Sequence, residues 1–514
     1  MSNDESQKPN MALFWGCFIA LIATAFSFVS RGMVLDEWGK LFSLSESQKQ
    51  QISGVGLWPF AVSIVLFSLV IDKIGYKIAM YFALICHVVS TIILVTATGY
   101  TQLYVGTLIL ALGNGTVEAF INPVVATLFS KDKTKWLNIL HAGWPGGLVF
   151  GGLIIVLMPA TTSWQIKIGL ILIPAVLYGL MLVTKKFPVN ERVSAGVSYK
   201  DMLGEVGALG AFFIFALVGR EISRVLHFPG SDKLFLQCLD VPSLIIGGAA
   251  GLAFFAYTKS LGKPLFILLM LIMVPLATTE LGTDGAISGL MEAGMKEISP
   301  NLGGGHLLIY TSLIMMVLRF FAGSIVHKIS PLGLLAVSAI IAAAGLVFLS
   351  KATGITILAA ATLYGFGKTF FWPTTLGVVA EQFPKGGAMT LNGISAVGML
   401  GVGILGSQFI GYILDTNVDR DLKAEKPAIH QLVAGPAQQT MFGEAPTIDQ
   451  EKLKALPKEQ QDEFATLDGH TKKASLATIA LLPVLMLAAY LMLIFYFKAK
   501  GGYKPVDLAS GGAH

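Results

Sequence analysis

A single glutamate, Glu118, lies in an otherwise uncharged apolar stretch between Gly99 and Lys131. An ionisable side chain at bilayer depth costs at least ~2.5 kcal/mol, so such residues usually mark the pathway of an ion or a substrate. Desolvation favours the protonated form of a carboxyl group, whereas a neighbouring Arg or Lys favours the charged form. We therefore interpret Glu118 as a proton-coupling residue. The alternative is a permanent structural ion pair of Glu118 with Arg31 or Lys368.

The stretch around Glu118 returns in altered form about 250 residues later in the chain. GNGTVEAFINPVVATLF has its counterpart in YGFGKTFFWPTTLGVVAEQF, which aligns Asn122-Pro123 with Trp372-Pro373. Further along each copy, Leu137-Asn138 corresponds to Leu391-Asn392. The repeat predicts that the chain consists of two related halves around a shared axis.

Composition places the chain in the polytopic membrane class. Of its 514 residues, 54% are hydrophobic and 13% are charged, and the mean hydropathy is +0.71, values far outside the soluble range. The net charge of +5 is spread over short loops, which argues against a nucleic-acid partner. Cys17, Cys86 and Cys238 fit neither a disulfide framework nor a metal site. No cofactor is expected, and the chain has no phosphate-cradling loop of the ATP-binding kind.

Fourteen apolar runs are long enough to cross a hydrocarbon core of ~30 Å. They are arranged as six, two inserted and six. The runs are Met11 to Val34, Ile52 to Ile71, Ile78 to Thr98, Leu103 to Phe129, Leu137 to Pro159, Ile166 to Val183, Ala208 to Phe228, Val241 to Tyr257, Leu265 to Ile287, His306 to Val326, Leu332 to Leu349, Ile355 to Val379, Ala388 to Leu414 and Ala474 to Phe497.

Loop charges predict the orientation of these helices. Short cytoplasmic loops are enriched in Lys and Arg, and alternate loops here carry such residues, including Lys185-Lys186 and Lys385. Both chain termini are therefore expected in the cytoplasm. The N-terminal residues lack the basic region and cleavage site of a signal peptide, so the run from Met11 is interpreted as a retained helix. The polar stretch Asp415 to Lys473 is predicted to be an outer loop, forming a small cap or remaining disordered.

The first inward loop, SLVIDKIGYK, resembles a signature of the major facilitator superfamily, Gly-x-x-x-Asp-Arg/Lys-x-Gly-x-Arg/Lys. Asp72, Lys73, Gly75 and Lys77 match it, with Ser68 in place of the first Gly. RFFAGSIVHKIS repeats the signature about 255 residues later. The resemblance implies that this loop gates the conformational change and does not touch substrate. Ordinary positive loop charge is the alternative reading.

EAFINPVVATLF followed by TKWLNILHAG resembles the fucose, galactose and glucose proton symporters of that superfamily. Their fourth helix carries a Glu shortly before Asn-Pro, here Glu118 with three residues between it and Asn122. ATTELGTDGAISG resembles their seventh helix and aligns Glu280 as a second proton-coupling residue. The first helix lacks the acidic residue of the fucose branch and has Arg31 in that region. A coupling scheme with two carboxylates therefore does not transfer directly.

The resemblance implies a sugar-like substrate, whose hydroxyls need hydrogen-bonding groups and whose ring needs aromatic faces. The predicted substrate contacts are Arg31, Asn114, Asn122, His141, Trp144, Tyr364, Lys368, Trp372 and Asn392. Trp144 precedes Pro145-Gly146-Gly147, and such a run of helix breakers exposes backbone for close approach. The alternative role for each of these side chains is packing or anchoring at the membrane interface.

The sequence thus predicts an all-α polytopic membrane protein with the major facilitator fold. Its parts are an N-terminal six-helix bundle at 1–184, a cytoplasmic linker with two extra helices at 185–263, and a C-terminal six-helix bundle at 264–514 with a long outer loop at 415–473. The predicted activity is proton-coupled symport of a sugar or sugar derivative by alternating access, with no enzymatic function. The expected setting is a monomer in the inner membrane of a bacterium.

Three alternatives to sugar symport remain open at this point. An organic-anion or drug carrier of the same fold would use Arg31 and Lys368 as partners of the anion. A membrane-embedded glycosyltransferase is suggested by Asp36-Glu37 after the first helix and by the long outer loop. A signalling receptor on a transporter scaffold is the third.

Overall fold

The computed structural model describes residues 9–159, 161–229, 234–235, 239–440 and 442–508. Within these residues the architecture is all-α and polytopic. Twelve helices are long and apolar enough to cross a membrane, and the number is thirteen if one bent pair is counted as a span. Two short antiparallel strand pairs are also present in these ranges.

We label the long apolar segments α1 to α14 in chain order. They are α1 Met11–Leu41, α2 Gln48–Ile74, α3 Tyr76–Val95, α4 Tyr100–Leu128, α5 Lys133–Leu157, α6 Trp164–Val183, α7 Tyr199–Leu226, α8 Val241–Thr258, α9 Pro264–Leu290, α10 Gly304–Phe320 with Ala322–Ile329, α11 Pro331–Lys351, α12 Thr356–Lys368 with Phe371–Gln382, α13 Pro384–Glu425 and α14 Lys458–Ala499.

Shorter elements connect the long ones. The helices among them are Glu191–Ser194, Glu292–Ile298, Pro427–Val433 and Gln450–Ala455. The strands are β1 Leu234–Phe235 paired with β2 Leu239–Asp240, and β3 Gln438–Thr440 paired with β4 Gly443–Ala445.

Capping residues define where several long helices begin. The Asn10 side chain accepts a hydrogen bond from the backbone N–H of Leu13 at 3.1 Å, and Ser198 caps α7 in the same way. Pro264 and Pro331 lie in the first turns of α9 and α11. Backbone N–H groups in the first turn have no acceptor within the helix, so proline costs no hydrogen bond there. Local sequence signals therefore account for these boundaries.

The two inserted helices that the sequence predicts are present. α7 runs from Tyr199 to Leu226 with a kink at Gly207, where φ is 61°, and its part after the kink is helical although it carries Arg220, Glu221 and Arg224. Arg220 reaches Asp240 at 2.8 Å, and Arg224 reaches Glu221 at 2.8 Å. The charges therefore have acidic partners, which is how charged side chains are tolerated close to a membrane. α7 packs on α8 and on α13.

Two of the fourteen predicted spans, α10 and α12, do not form a single long membrane-crossing helix. α10 bends by 62° near Phe321. The predicted run Ile355 to Val379 is divided between two helices. The first has 13 residues and ends at Lys368, and the second has 12 residues and begins at Phe371. Pro373 explains this break, because it has no N–H to bond the carbonyl four residues earlier. The prediction of a single helix there was wrong in this respect.

The helix ends define two faces of the molecule. We call the face with residues 129–132, 383–387 and 500–508 the terminal face, and the face with residues 96–99, 291–303 and 426–457 the opposite face. The first six helices meet the last six where α2 packs on α13 and where α5 packs on α10 and α12. At Gly377 of α12 an added Cβ would lie 2.3 Å from Thr134 Oγ1 of α5, so only glycine permits this approach.

The predicted outer loop Asp415 to Lys473 is mostly helical. α13 continues to Glu425 and α14 begins at Lys458, which leaves 426–457 as the connection between them. This region has its own small core, with buried side chains Leu422, Ile429, Val433, Phe464 and Leu467. The structure therefore favours the small cap over disorder, because enough apolar surface is buried there to order the chain.

Candidate functional site

A large cavity lies between the two sets of six helices, on the side of the opposite face. Its volume is about 850 Å³, within the range of small-molecule sites. α1 and α5 form one wall, and α9, α10 and α13 form the other. Side chains that can contact a ligand there include Phe28, Trp144, Asp284, Ser288, Asn301, His306 and Ser407. Asp36 and Glu37, which suggested a glycosyltransferase, instead form ion pairs with Lys49 and Lys167.

A second, small cavity lies where the large one ends, deep between the halves. Its volume is about 20 Å³, which is room for about one water molecule. It is lined by Phe60, Glu118, His141, Trp144, Glu280, Leu281, Arg319, Trp372 and Met399. Trp144, Leu281 and Met399 line both cavities. The structure thus brings together Glu118 and Glu280, the two carboxylates that the sequence predicts for proton coupling.

Glu118 is held by neutral groups. It is 4% exposed, and Oε2 accepts a hydrogen bond from Asn122 Nδ2 at 2.7 Å. Asn122 Oδ1 in turn accepts from His141 Nε2 at 2.9 Å. In the described part of the chain no cation lies within ion-pairing distance of Glu118, so the structural ion pair with Arg31 or Lys368 is not formed.

Glu280 is held by a cation and by a backbone donor. Arg319 Nη2 of α10 donates to Glu280 Oε1 at 2.7 Å, and both side chains are buried. The backbone N–H of Trp372 donates to Glu280 Oε2 at 3.0 Å. Both carboxylate oxygens are therefore bonded to helices of the same half.

Arg319 also connects the halves. Nη1 donates to the backbone carbonyl of His141 in α5 at 2.6 Å, and Nε donates to that of Thr369 in α12 at 2.7 Å. A chain of contacts thus runs from Glu118 through Asn122 and His141 to Arg319 and Glu280. The guanidinium group suits this position because its donors point in several fixed directions.

Lys368, the repeat counterpart of Glu118, has a partner of its own. Its ammonium group forms an ion pair with Asp284, and Lys368 is fully buried. Tyr364 is also fully buried, and its hydroxyl contacts Thr283 Oγ1 and the carbonyl of Thr279. Neither of these two predicted substrate contacts lines either cavity described above, whereas Asp284, the partner of Lys368, lines the large one.

Asn114 and Arg31 lie in the first half, away from the small cavity. Asn114 Oδ1 accepts from His87 Nε2 at 2.9 Å, and its Nδ2 donates to Ser27 at 3.0 Å, so its amide group already has partners. Arg31 is 7% exposed, and its guanidinium lies 5.7 Å from the centre of the Phe28 ring. No acidic residue in the described ranges pairs with Arg31, although its neighbours Phe28 and Gly32 line the large cavity.

Hydrogen bonds between the halves close the path from the small cavity to the terminal face. Thr134 Oγ1 donates to Glu381 Oε1 at 2.5 Å, and Asn138 Nδ2 donates to Thr374 Oγ1 at 3.1 Å. Asn392 Nδ2 donates to the carbonyl of Ala119 at 3.0 Å. Asn392 was predicted to contact substrate, but here it contributes to this closure.

The predicted gating loop between α2 and α3 lies at the terminal face. Asp72 Oδ2 forms an ion pair with Arg192 Nη2 at 2.6 Å, and Lys73 lies over the Tyr199 ring at 4.7 Å. Gly75 has φ 86°, a left-handed conformation that favours glycine. Lys77 is half-buried. The loop is therefore tied to the segment that joins the two halves.

Arg319 and Glu381 are the functional candidates that sequence reasoning missed. Arg319 is a lone charge in the apolar run LIMMVLRFF, a signal of the same kind as Glu118. It was assigned only to the repeated loop signature, and its role as a buried charge was overlooked. Glu381 lies near the end of the quoted repeat copy but was not distinguished from an ordinary charge at a helix end.

Comparisons with known proteins agree with this architecture. The family model described as Major Facilitator Superfamily matches residues 13–407. The Escherichia coli fucose:proton symporter FucP has 16% identity, a TM-score of 0.57, and coverage of 93% of this chain and 98% of that chain. The proton:xylose symporter XylE, bound to 6-bromo-6-deoxy-D-glucose, has 14% identity, a TM-score of 0.57, and 95% coverage of each chain.

The human organic anion transporter MFSD10 is similar to the same degree. It has 12% identity, a TM-score of 0.59, and coverage of 94% of this chain and 100% of that chain. No curated protein sequence matches the chain. At these identities the structural similarities show the fold alone, whereas the family model spans most of the sequence. The chain therefore belongs to the major facilitator superfamily and is a membrane transporter of that fold.

Proposed function

We propose that this transporter couples the uptake of a sugar or sugar derivative to protons by alternating access. The observation that carries the proposal is the pair of buried carboxylates, Glu118 and Glu280, on the two sides of one small cavity, only one of which has a cationic partner. Desolvation without a neighbouring cation favours proton uptake. We therefore assign proton binding to Glu118. Glu280 is assigned a structural role, in which it binds Arg319 and the Trp372 backbone of the second half.

The substrate is assigned to the large cavity. Trp144 lines both cavities and offers an aromatic face, while His141 and Trp372 line the deep end. A solute that entered from the opposite face would lie within reach of the Glu118 network. Proton binding and substrate binding would then affect the same contacts between α4 and α5.

The orientation and setting are part of the proposal. Lys131, Lys186, Lys385 and Lys500 all lie at or next to the terminal face, which the positive-inside rule assigns to the cytoplasm. We take the protein as a multi-pass monomer of a bacterial inner membrane, and the observed closure at the terminal face as its outward-facing state. We assign to the ion pair of Asp72 with Arg192 the gating role predicted for this loop, in which it stabilises the outward-facing state.

Counterflow and proton-driven uptake in proteoliposomes test the assignment of Glu118. With a panel of labelled sugars, Glu118→Gln should retain counterflow but lose accumulation driven by a pH gradient, because glutamine accepts the Asn122 hydrogen bond and binds no proton. Glu297→Gln makes the same change at an exposed carboxylate and should transport like wild type. Unchanged accumulation in Glu118→Gln contradicts the coupling role.

Arg31 supports a second candidate, an organic-anion carrier. A buried guanidinium without an acidic partner is expensive, and a substrate carboxylate would neutralise it. Uptake of labelled sugar acids should then exceed uptake of the neutral sugars, and Arg31→Gln should abolish this preference. If wild type shows no preference for sugar acids, or if Arg31→Gln keeps that preference, the anion-carrier hypothesis fails.

A further inference from the structure

Three prolines interrupt helices at the centre of this molecule, and each leaves one backbone carbonyl without its helical donor. Proline has no N–H, so the carbonyl four residues earlier makes no i→i−4 hydrogen bond. Pro123, Pro145 and Pro373 release in this way the carbonyls of Ala119, His141 and Thr369. An unsatisfied carbonyl at bilayer depth costs several kcal/mol, so each of them needs another donor.

All three carbonyls are bonded by side chains of the second half. Asn392 donates to Ala119 at 3.0 Å, and Arg319 donates to His141 at 2.6 Å and to Thr369 at 2.7 Å. The first two bonds cross from the second half to the first. The third fixes Arg319 within its own half, which leaves its Nη1 directed at α5.

We propose that Pro123 and Pro145 are positioning residues for the conformational change, because the carbonyls that they release are the points at which the second half docks on the first. Docking closes the terminal face while the large cavity is open at the opposite face. When the halves separate, Ala119 and His141 lose these donors, and entering water must replace them. The two bonds therefore stabilise the closed terminal face whether or not substrate is bound.

Glu280 acts on this docking through Arg319. Its Oε1 accepts from Nη2 of the same guanidinium whose Nη1 bonds His141. If Glu280 lost its negative charge, the Arg319 guanidinium would be held less firmly in the orientation that bonds His141. The inference rests on the alternating access proposed above, but not on the substrate or on the coupling ion.

Distances between spin labels in the substrate-free protein test the docking directly. Cysteines replace exposed residues in a background without native cysteines, with Lys131 and Lys385 labelled at the terminal face and Lys40 and Glu297 at the opposite face. Pro145→Ala restores an N–H for the His141 carbonyl. The ratio of open to closed terminal faces should then rise about fivefold, the change that one net hydrogen bond of ~1 kcal/mol corresponds to.

Two further variants keep the test decisive. Asn392→Ala removes the other donor that crosses between the halves. It should change the label distance at each face in the same sense as Pro145→Ala does. Pro275→Ala is the matched control, because Pro275 also interrupts a helix but releases the carbonyl of Leu271, whose side chain lies on the outer surface. An unchanged distribution in either folded variant, or an equal shift in the control, overturns the proposal. Since no substrate is present, failure of the sugar assignment leaves this result unaffected.

Discussion

Glu118 in the first half and Glu280 in the second line the same cavity and are buried to nearly the same extent, yet they are held differently. Glu118 accepts from the neutral amide of Asn122, whereas Glu280 accepts from the Arg319 guanidinium and from a backbone N–H. Two carboxyl groups at one depth therefore have different chemistry. Burial at bilayer depth thus indicates that a carboxylate is functional. Its hydrogen-bonding partners decide whether it can exchange a proton or instead stabilises the packing of helices.

The largest effect is expected from Arg319→Gln. This change leaves the Glu280 charge buried and unpaired and removes donors from two carbonyls, so it should destabilise the fold by about 3–5 kcal/mol. Thermal unfolding in detergent measures the loss. Arg31→Gln is the matched control, because that arginine has no acidic partner in the described residues and its burial is costly, so its removal should not lower the midpoint. Equal midpoints for the two variants would contradict the structural role of Arg319.

Neutralising Glu280 and Glu118 separately should have different effects on stability. Glu280→Gln leaves Arg319 without a counter-charge and should destabilise the protein by about 3 kcal/mol. Glu118→Gln removes no ion pair and should change stability by less than about 1 kcal/mol, although it abolishes coupled accumulation. The double variant Glu280→Gln with Arg319→Gln should recover part of the loss, since no unpaired charge remains. Equal losses from the two single variants would remove the distinction drawn above.

A half-buried carboxylate outside the membrane-spanning helices, Asp449, gives the smallest effect. The backbone N–H groups of Lys452 and Glu451 donate to Asp449 at the start of the short helix Gln450–Ala455 and hold the pKa of Asp449 below its ordinary value. A lowered pKa contributes stability above the unfolded value of about 3.9, and this contribution is lost as the pH falls through the lower folded value.

Asp449→Ala should therefore speed hydrogen exchange in 450–455 at pH 7 and leave transport unchanged. The difference between Asp449→Ala and wild type should shrink as the pH falls below 4. Glu451→Ala, which keeps the Asp449 cap, is the control. A transport defect in Asp449→Ala would show that the cap does more than cover the opposite face.

Much of the fold could be predicted because membrane spans are a local property of the sequence. Hydropathy located all fourteen helical segments, the lone charge in an apolar stretch identified Glu118, and the repeat located the Trp372-Pro373 dipeptide. The break in α12 was missed although Pro373 is visible in the sequence. A proline shows which carbonyl is released, but the donor that binds it, here Arg319, belongs to another helix.

The charge pairs could not be predicted in the same way. An ion pair of Glu118 with Arg31 or Lys368 was the alternative interpretation, but Lys368 pairs with Asp284 and Arg319 pairs with Glu280. Each residue along a helix turns the side chain by about 100° and advances it by about 1.5 Å. A small rotation or axial shift of one helix therefore changes which charge faces which partner.

Sequence alone was enough to establish that the chain is polytopic, and it predicted that its two parts are related and that a carboxyl group lies at bilayer depth, because hydrophobic length and the position of a charge are read along one dimension. Only the tertiary structure decided that Glu118 has no cationic partner, that Arg319 joins the halves, and that the cavity faces away from the termini. Those features depend on the rotation and spacing of helices that are distant in sequence, and lipid, which is equally apolar around every helix, does not fix them.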